Sequence, residues 1–262
     1  MKFLRSALFA VAAVYAVFLT GCGANIFSTQ QEISMGENFA REIESQSDIL
    51  NDEEWNEYID DIGQRIAAVC DRPDLTYHFS IIEDDSTVNA FAVPGGFIYI
   101  YTGLILRAEN EAEIAGVLAH EVGHVVGKHS MKRLTQVYGL QFALSIALGQ
   151  NPNQLASLGA EFLAGGLIMN YGRDNEFESD YYGVKYIHML GYDPNGFKTF
   201  LEKLAAMHGD ADESNLLEKM MSTHPDPNDR VARAEQIIAE LPENEKRLNE
   251  ERFLMMKEKL RF

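Results

Sequence analysis

Three residues of one short segment have the types and spacing of a hydrolytic metal site. His120 and His124 are four positions apart, and Glu121 follows the first of them. At 3.6 residues per turn, the two imidazoles project from one face of a helix, where their ring nitrogens can bind a single Zn²⁺. Glu121 lies beside them and is suited to take a proton from an attacking water molecule. The segment therefore predicts a zinc site with Glu121 as the general base.

Two imidazoles leave a catalytic zinc without its usual third protein ligand, which must then come from a residue further along the chain. If the motif helix continues to His129, that residue lies roughly 140° around the axis from His124 and faces away from the metal. We therefore expect His129 to be a surface residue or a hydrogen-bond partner. Glu176 and Asp180 share a face of a later predicted helix, where one can reach the metal while the other accepts a hydrogen bond from an imidazole. From spacing alone, a solvated acidic face is the simpler interpretation.

The elements that must position these residues are mainly helical. Apolar residues recur at intervals of three and four from Asn51 to Val69, which indicates one buried helix face, and 28–45 is a weaker helix. The motif helix is predicted from about Asn110, whose side chain can cap it, to Lys128. Further helices are predicted over 131–149, 153–169, 174–190, 194–208, 213–221, 227–240 and 244–260.

Short runs rich in β-branched and aromatic residues precede the motif helix. They are Leu75–Ile82, Val88–Val93 and Phe97–Tyr101, and a Pro-Gly-Gly turn joins the last two. These runs predict a small sheet or hairpin, so the expected fold class is α+β and mainly helical. The later apolar runs Leu140–Leu148 and Leu163–Met169 are too short to cross a membrane and favour core helices, with a peripheral membrane or partner contact as the alternative.

The first 21 residues have the pattern of a bacterial lipoprotein signal peptide. Two basic residues precede an apolar run from Ala7 to Leu19, which ends in Leu19-Thr20-Gly21-Cys22. This sequence resembles a lipobox, so we expect cleavage before Cys22 and lipidation of that residue. Gly23 after it favours the outer membrane, facing the periplasm. An uncleaved anchor, or an ordinary signal with an incidental cysteine, is the alternative. Residues 22–262 are then expected to form one domain.

The composition excludes two further classes of protein. The formal net charge of −18 argues against nucleic acid as a partner, because phosphate binding needs a cationic surface. Besides Cys22 the chain has only Cys70, so it cannot form an internal disulfide after lipidation. A purely structural zinc site usually has four ligands, often thiolates, and the cysteine count argues against that interpretation as well.

Four segments, taken in order, resemble the gluzincin metallopeptidase family that includes HtpX, the prenyl-protein (CAAX) protease and periplasmic BepA. They are Val88–Gly96, Thr102–Leu104, His120–His124 and Glu176-x-x-x-Asp180, within a match over roughly 30–240. The resemblance implies a zincin-like domain with one Zn²⁺ per chain. It also implies that Glu176 is the third zinc ligand and that Asp180 accepts a hydrogen bond from a ligand imidazole.

Two more positions resemble the branch of BepA-like lipoprotein peptidases. His224 is followed by Pro225, and Arg230 comes six residues after the histidine. In that branch the histidine can occupy the open zinc position and hold the enzyme latent. The resemblance thus implies that His224 is an inhibitory fourth ligand or an oxyanion donor, and that Arg230 stabilises the same charge. A capping loop with a solvated arginine is the alternative.

The expected function combines these features. A strand from Val88 to Val93, which includes Asn89, Ala90 and Phe91, is predicted to pair through a free edge with an extended peptide and align it over the metal. A strand that only packs the core is the alternative. We therefore expect a zinc-dependent endopeptidase of the cell envelope, anchored by lipid, that acts on unfolded or misassembled envelope proteins. The alternative is an envelope assembly or chaperone factor in which proteolysis is latent.

Overall fold

The computed structural model of the chain describes residues 27–136, 171–208, 217–224 and 227–260. The predicted signal peptide, Cys22 and the predicted helix over 153–169 lie outside these ranges. The apolar runs 140–148 and 163–169 also lie outside them.

Two helices with side-chain caps open the described chain. Helix α1 (Thr29–Gln46) begins after Ser28, whose hydroxyl accepts a hydrogen bond from the backbone N–H of Gln31. Helix α2 (Glu53–Val69) begins after Asp52, whose carboxylate accepts from the N–H of Trp55 at 3.0 Å. The predicted periodicity of α2 corresponds to its buried face, which comprises Trp55, Tyr58, Ile59, Ile62 and Ile66.

The sheet has three strands, β1 (His78–Ile82), β2 (Ala90–Val93) and β3 (Phe97–Tyr101), in the order β1-β3-β2. β2 and β3 form the predicted antiparallel hairpin, while β1 pairs in parallel with β3. The turn Pro94–Gly96 has φ values of 81° and 94° at its two glycines, which residues with a side chain rarely adopt. Because β3 lies in the middle of the strand order, β2 is an edge strand of this sheet.

The rest of the described chain is helical, apart from its connections. Helix α3 (Thr102–Arg107) leads to α4 (Glu111–Val126), which carries the histidine motif and is capped by the Asn110 side chain. A helical stretch covers 129–136, up to the end of the first described range. The later helices are α5 (Arg173–Met189), α6 (Asn195–His208), α7 (Glu218–Thr223), α8 (Pro227–Ala239) and α9 (Glu250–Lys259).

The last helix begins later than expected, at Glu250 rather than at residue 244. The intervening backbone forms a bridge between Tyr192 and Arg247 instead of a helical turn. The N–H of Arg247 donates to Gly191 O, and Arg247 O accepts from Asp193 N–H. Because these backbone groups have long-range partners, local helix propensity does not decide their structure.

Helices α4 and α5 pack closely because each has a glycine that faces the backbone of the other helix. A Cβ atom at Gly123 would lie 3.0 Å from the Cα of Ser179, and one at Gly183 would lie 3.3 Å from the Cα of His120. This close approach brings the acidic residues of α5 over the imidazoles of α4. The architecture confirms the expected α+β class, mainly helical with a small sheet. Among the described helices, none has both the length and the apolar character needed to cross a membrane.

Candidate metal centre

Four buried side chains converge at the middle of α4. One donor atom from each of His120, His124, Glu176 and His224 lies within 4.8 Å of the others, and each residue is at most 3% exposed. The two Nε2 atoms of His120 and His124 are 3.0 Å apart, and their spacing places both side chains on one face of α4. Glu176 comes from the first turn of α5, and His224 follows the end of α7.

The separations between donor atoms fit a zinc ion. Glu176 Oε1 lies 3.4 Å from His124 Nε2, and Glu176 Oε2 lies 3.7 Å from His120 Nε2. Donors at about 2.0–2.2 Å from a tetrahedral zinc are separated by roughly 3.3–3.6 Å, which these distances approach. Two imidazoles and one carboxylate are also a ligand set typical of catalytic zinc.

Asp180 and Arg230 fix the orientation of the first imidazole. Asp180 Oδ1 lies 2.9 Å from His120 Nδ1, so it can accept that hydrogen and leave Nε2 free to bind a metal. Arg230 donates to the same carboxylate through Nε and Nη2, and its Nη1 lies 3.0 Å from Glu176 Oε2. The guanidinium thus binds both acidic residues of the site and offsets part of their negative charge.

His224 lies directly against the donor cluster. Its Nδ1 is 3.2 Å from both carboxylate oxygens of Glu176 and 3.5 Å from His120 Nε2. Its backbone N–H donates to Met220 O at the end of α7, which anchors the residue. The geometry therefore brings His224 within reach of the same cation as His120 and Glu176.

Glu121 lies beside the cluster rather than in it. The residue is 2% exposed, and its Oε2 has no hydrogen-bond partner among the described residues. Its Oε1 is 3.6 Å from His224 Nε2, which also lacks a hydrogen-bond partner within the described chain. Buried polar atoms without partners are costly unless something polar occupies the space between them. The carboxylate is therefore suited to receive a proton inside the site.

The electrostatic environment of His124 and Glu176 favours the protonation states that metal binding needs. Burial lowers the pKa of His124 well below its ordinary value, so its imidazole is neutral. Burial would raise the pKa of Glu176, but the cationic His224 and Arg230 outweigh it and hold that pKa at about 2. Burial lowers the pKa of His224, but the carboxylates of Glu176 and Glu121 outweigh that effect and raise it overall. His224 must therefore lose a proton before it can bind a metal.

Two further aromatic residues lie against His124. The ring of Tyr171 stacks on His124 at 4.0 Å between centroids, and nothing in the sequence distinguished it. His129 was expected to be a surface residue or a hydrogen-bond partner, and to face away if the motif helix continued. The helix ends at Val126 instead, and the turn after it brings Nδ1 of His129 to 2.9 Å from Nδ1 of His124, which agrees with the hydrogen-bond partner. The glycine at position 127 was the available signal for that helix end.

The predicted substrate strand borders the metal centre. Tyr101 N–H donates to Asn89 O, so in the antiparallel β2–β3 pair the backbone groups of Ala90 and Ala92 point away from β3. Ala92 O accepts from the hydroxyl of Tyr171 at 3.4 Å. Phe91 is buried and stacks on the cross-strand Tyr99. A small, mostly apolar cavity joins the strand to the site, and its lining includes Ala90, His120, Glu121, Phe197, Leu204 and His224.

The sequence is also similar to known peptidases. Residues 53–238 match the family model of Peptidase family M48. The chain is 30% identical over 227 residues to the Beta-barrel assembly-enhancing protease of Yersinia pestis, an alignment that covers 82% of this chain and 45% of the relative. The protein of the same name from Escherichia coli (strain K12) is 30% identical over 224 residues, again covering 82% and 45%.

A eukaryotic protein matches a shorter region. The Mitochondrial metalloendopeptidase OMA1 of Schizosaccharomyces pombe is 31% identical over 185 residues, which cover 70% of this chain and 53% of the relative. The alignments with the two bacterial relatives span a little under half the length of those proteins.

Proposed function

Because the chain belongs to Peptidase family M48, we propose that it is a zinc-dependent metalloendopeptidase that cleaves proteins of the bacterial cell envelope. One observation carries this proposal. The donor atoms of His120, His124 and Glu176, from two different helices, converge at separations that suit a single zinc ion, with Glu121 beside them. We assign those three residues as the zinc ligands.

Zinc, when bound, lowers the pKa of water from 15.7 to about 7, which makes hydroxide available for attack at neutral pH. The residues of the chain then have distinct roles. Glu121 takes the proton of the attacking water and returns it to the leaving amine. Asp180 holds His120 through Nδ1, and Arg230 is the ionic partner of both Asp180 and Glu176. These contacts favour a positioning role for Arg230 over direct contact with the oxyanion.

His224 is proposed to be a fourth ligand that keeps the site latent. Support comes from its Nδ1, which is close to both oxygens of Glu176 and to His120 Nε2. A catalytic zinc needs an open position for water, and a fourth protein ligand would fill it. Activation would then require His224 to leave the cluster, and it follows only a six-residue helix.

The substrate is proposed to bind as an additional strand on the edge of β2. Ala90 N–H and C=O and Ala92 N–H point to that edge, while Tyr171 already binds Ala92 O. Asn89 adds a buried side-chain oxygen that has no hydrogen-bond partner within the described ranges. Pairing through the backbone favours unfolded segments with little sequence preference. Unfolded or misassembled envelope proteins are therefore the proposed substrates.

The cellular setting is proposed from the sequence and from the relatives' names. Residues 1–21 are assigned as a lipoprotein signal peptide, Cys22 as the lipidated residue and 22–262 as one peptidase domain. Two relatives are named for enhancing the assembly of beta-barrels. The chain is accordingly assigned to the outer membrane, facing the periplasm, with a role in protein quality control.

The test is cleavage of unfolded casein by the purified mature chain, with and without a chelator. Cleavage that stops on chelation and returns with zinc is expected, while cleavage unaffected by chelation would contradict the proposal. Glu121→Gln should lower turnover by about 10²-fold or more, since it removes the general base but none of the three ligands. His124→Ala, which removes a ligand, is the matched variant and should lose both zinc and activity.

The alternative function is envelope assembly without cleavage. It can be distinguished from proteolysis by expressing either the Glu121→Gln variant or the wild-type chain in a strain that lacks the gene and comparing how well each restores the phenotype. If the inert variant restores the phenotype in full, binding rather than proteolysis is the main function.

A further inference from the structure

The second imidazole of the metal centre is connected to the protein surface by two further side chains. His124 Nδ1 lies 2.9 Å from His129 Nδ1, and His129 Nε2 lies 3.2 Å from Glu178 Oε2. His129 is fully buried, whereas the Glu178 side chain is 41% exposed. Lys132 Nζ approaches the same carboxylate oxygen at 3.9 Å. The path runs from the donor cluster to solvent without a break.

The chemistry of a ligand imidazole fixes the direction of these hydrogen bonds. His124 faces Glu176 and His120 through Nε2, so a metal there leaves the hydrogen on Nδ1. That hydrogen points at His129 Nδ1, which must therefore accept. The hydrogen of a neutral His129 is then on Nε2, where the Glu178 carboxylate accepts it. The Ser179 hydroxyl, 3.3 Å from His129 Nδ1, can donate to the same acceptor.

The local backbone is built to hold the His129 ring in this position. Helix α4 ends at Val126, and Lys128 has a left-handed φ of 53°, which turns the chain back toward the helix. A Cβ atom at Gly127 would lie 2.3 Å from His129 Nε2. The imidazole therefore occupies the space that any other side chain at position 127 would need. The turn and the glycine together place His129 against His124.

Each of the two imidazoles proposed to bind the metal is thus hydrogen-bonded to a carboxylate through Nδ1, one directly and the other through an intervening side chain. His120 Nδ1 meets the carboxylate of Asp180 directly, at 2.9 Å. His124 Nδ1 meets the carboxylate of Glu178 through the intervening ring of His129. Both carboxylates come from α5, the helix that also supplies Glu176. A hydrogen-bonded carboxylate behind a ligand imidazole fixes the orientation of the ring and raises its basicity.

We propose that His129 and Glu178 are positioning residues that set the tautomer and orientation of His124 for metal binding. This inference rests on the proposed zinc site. Glu178 would otherwise be a partly exposed acidic residue with a structural role at most. Loss of such a supporting partner typically weakens metal affinity by about 10–100-fold.

The test is the zinc affinity of the full chain, measured by competition with a chromophoric chelator. Glu178→Gln and Glu178→Asp should each weaken zinc binding by about 10-fold, and His129→Phe by up to about 100-fold. Glu178→Asp keeps the negative charge but is one methylene shorter, so it loses the hydrogen bond to His129 while the electrostatic attraction remains. Weaker binding in this variant therefore indicates the hydrogen bond rather than the charge. Asp174→Asn removes an exposed carboxylate one turn earlier on α5 and should change the affinity less than about 2-fold.

A second measurement reads the proton positions directly. Long-range ¹H–¹⁵N spectra of the zinc-loaded chain should show His129 protonated at Nε2 and not at Nδ1. Protonation at Nδ1, or wild-type affinity in both Glu178 variants, would overturn the inference while leaving the zinc site intact. A wild-type chain that binds no zinc would overturn the proposed function itself and the inference with it. Because Glu178 is partly exposed, its variants are expected to fold.

Discussion

The Nδ1 atom of His120 lies 2.9 Å from Oδ1 of Asp180, and Arg230 Nη2 lies 2.7 Å from that same oxygen. One buried carboxylate therefore serves an imidazole of the metal centre and a guanidinium at once. Arg230 also reaches Glu176, so one guanidinium is the shared ionic partner of two acidic residues of the site. Changing any member should affect both metal binding and folding stability.

Asp180→Asn should weaken zinc binding by about 10–100-fold. The amide can still accept from His120, but Arg230 then keeps only Glu176 as an ionic partner. Removing one partner of a buried ion pair costs up to about 3–5 kcal/mol. We therefore expect a loss of stability in urea unfolding of the metal-free protein, together with the lower affinity. Asp174→Asn is the matched exposed control on α5. An Asp180→Asn protein with the affinity and stability of the wild type would contradict this assignment.

His224→Ala should raise peptidase activity while the protein retains zinc. The reason is that His120, His124 and Glu176 remain as ligands, and the position near His224 Nδ1 opens to water. The measurements are the metal content of the purified protein and the rate of casein cleavage. A fall in activity with zinc retained would instead identify His224 as an oxyanion donor.

Ala90→Pro should reduce cleavage of unfolded substrates. The N–H of Ala90 points away from β3, toward the edge of β2 that has no strand partner among the described residues, so proline removes the proposed donor to the substrate without removing a hydrogen bond of the hairpin. The loss should appear mainly in kcat/KM, by about 10-fold for one charge-neutral hydrogen bond. Zinc content and the unfolding midpoint serve as controls for folding. Unchanged kcat/KM in a folded, zinc-loaded variant would contradict substrate binding at this edge.

Glu111→Gln should reveal a pH-dependent contribution to stability far from the metal. Burial would raise the pKa of Glu111, but hydrogen bonds from Tyr192, Asn249 and Tyr58 outweigh it and lower the pKa below its ordinary value of 4.5. A carboxyl with a lowered pKa stabilises the folded state above the unfolded-state pKa, and this contribution is lost as pH falls through the folded-state pKa. The variant should thus lose about 2–4 kcal/mol near neutral pH.

The difference between Glu111→Gln and the wild type should shrink as the pH falls through that range. The measurement is the free energy of urea unfolding at several pH values. Glu258→Gln, which changes an exposed carboxylate on α9, should show little effect at any pH. A difference that stays constant down to acid pH would contradict the role of the ionised Glu111.

Gly123→Ala should increase the distance between helices α4 and α5. The added Cβ would lie 3.0 Å from the Cα and O of Ser179, both in the backbone of α5, which can yield only if the helices move apart. We expect a loss of about 1–3 kcal/mol in unfolding free energy, despite the better helix propensity of alanine, and weaker zinc binding because Glu176 moves with α5. Gly172→Ala, with no atom within 4 Å of its added Cβ, is the control for the steric effect. Because Gly172 is the N-cap of α5, where glycine is preferred over alanine, a loss of up to about 1 kcal/mol is expected, without weaker zinc binding.

Much of the local structure was predictable, because it depends on neighbours in the sequence. The periodicity of α2, the asparagine cap of α4 and the glycine turn between β2 and β3 all lead to elements that the structure contains. The later start of α9 was not predictable, because the preceding segment is held by backbone contacts to Gly191 and Asp193. The parallel pairing of β1 with β3 was not predictable either, because the two strands are far apart in the sequence and no short turn joins them.

The sequence by itself determined that His120 and His124 share a helix face with Glu121 between them, because helical geometry fixes the directions of residues three and four apart. Only the tertiary structure decided which distant groups meet them. Glu176 and Asp180 reach the site because glycines let α4 and α5 approach closely. His129 reaches it because the chain reverses at Lys128. Such contacts depend on packing between elements, and no spacing along the chain encodes the distance between two helices.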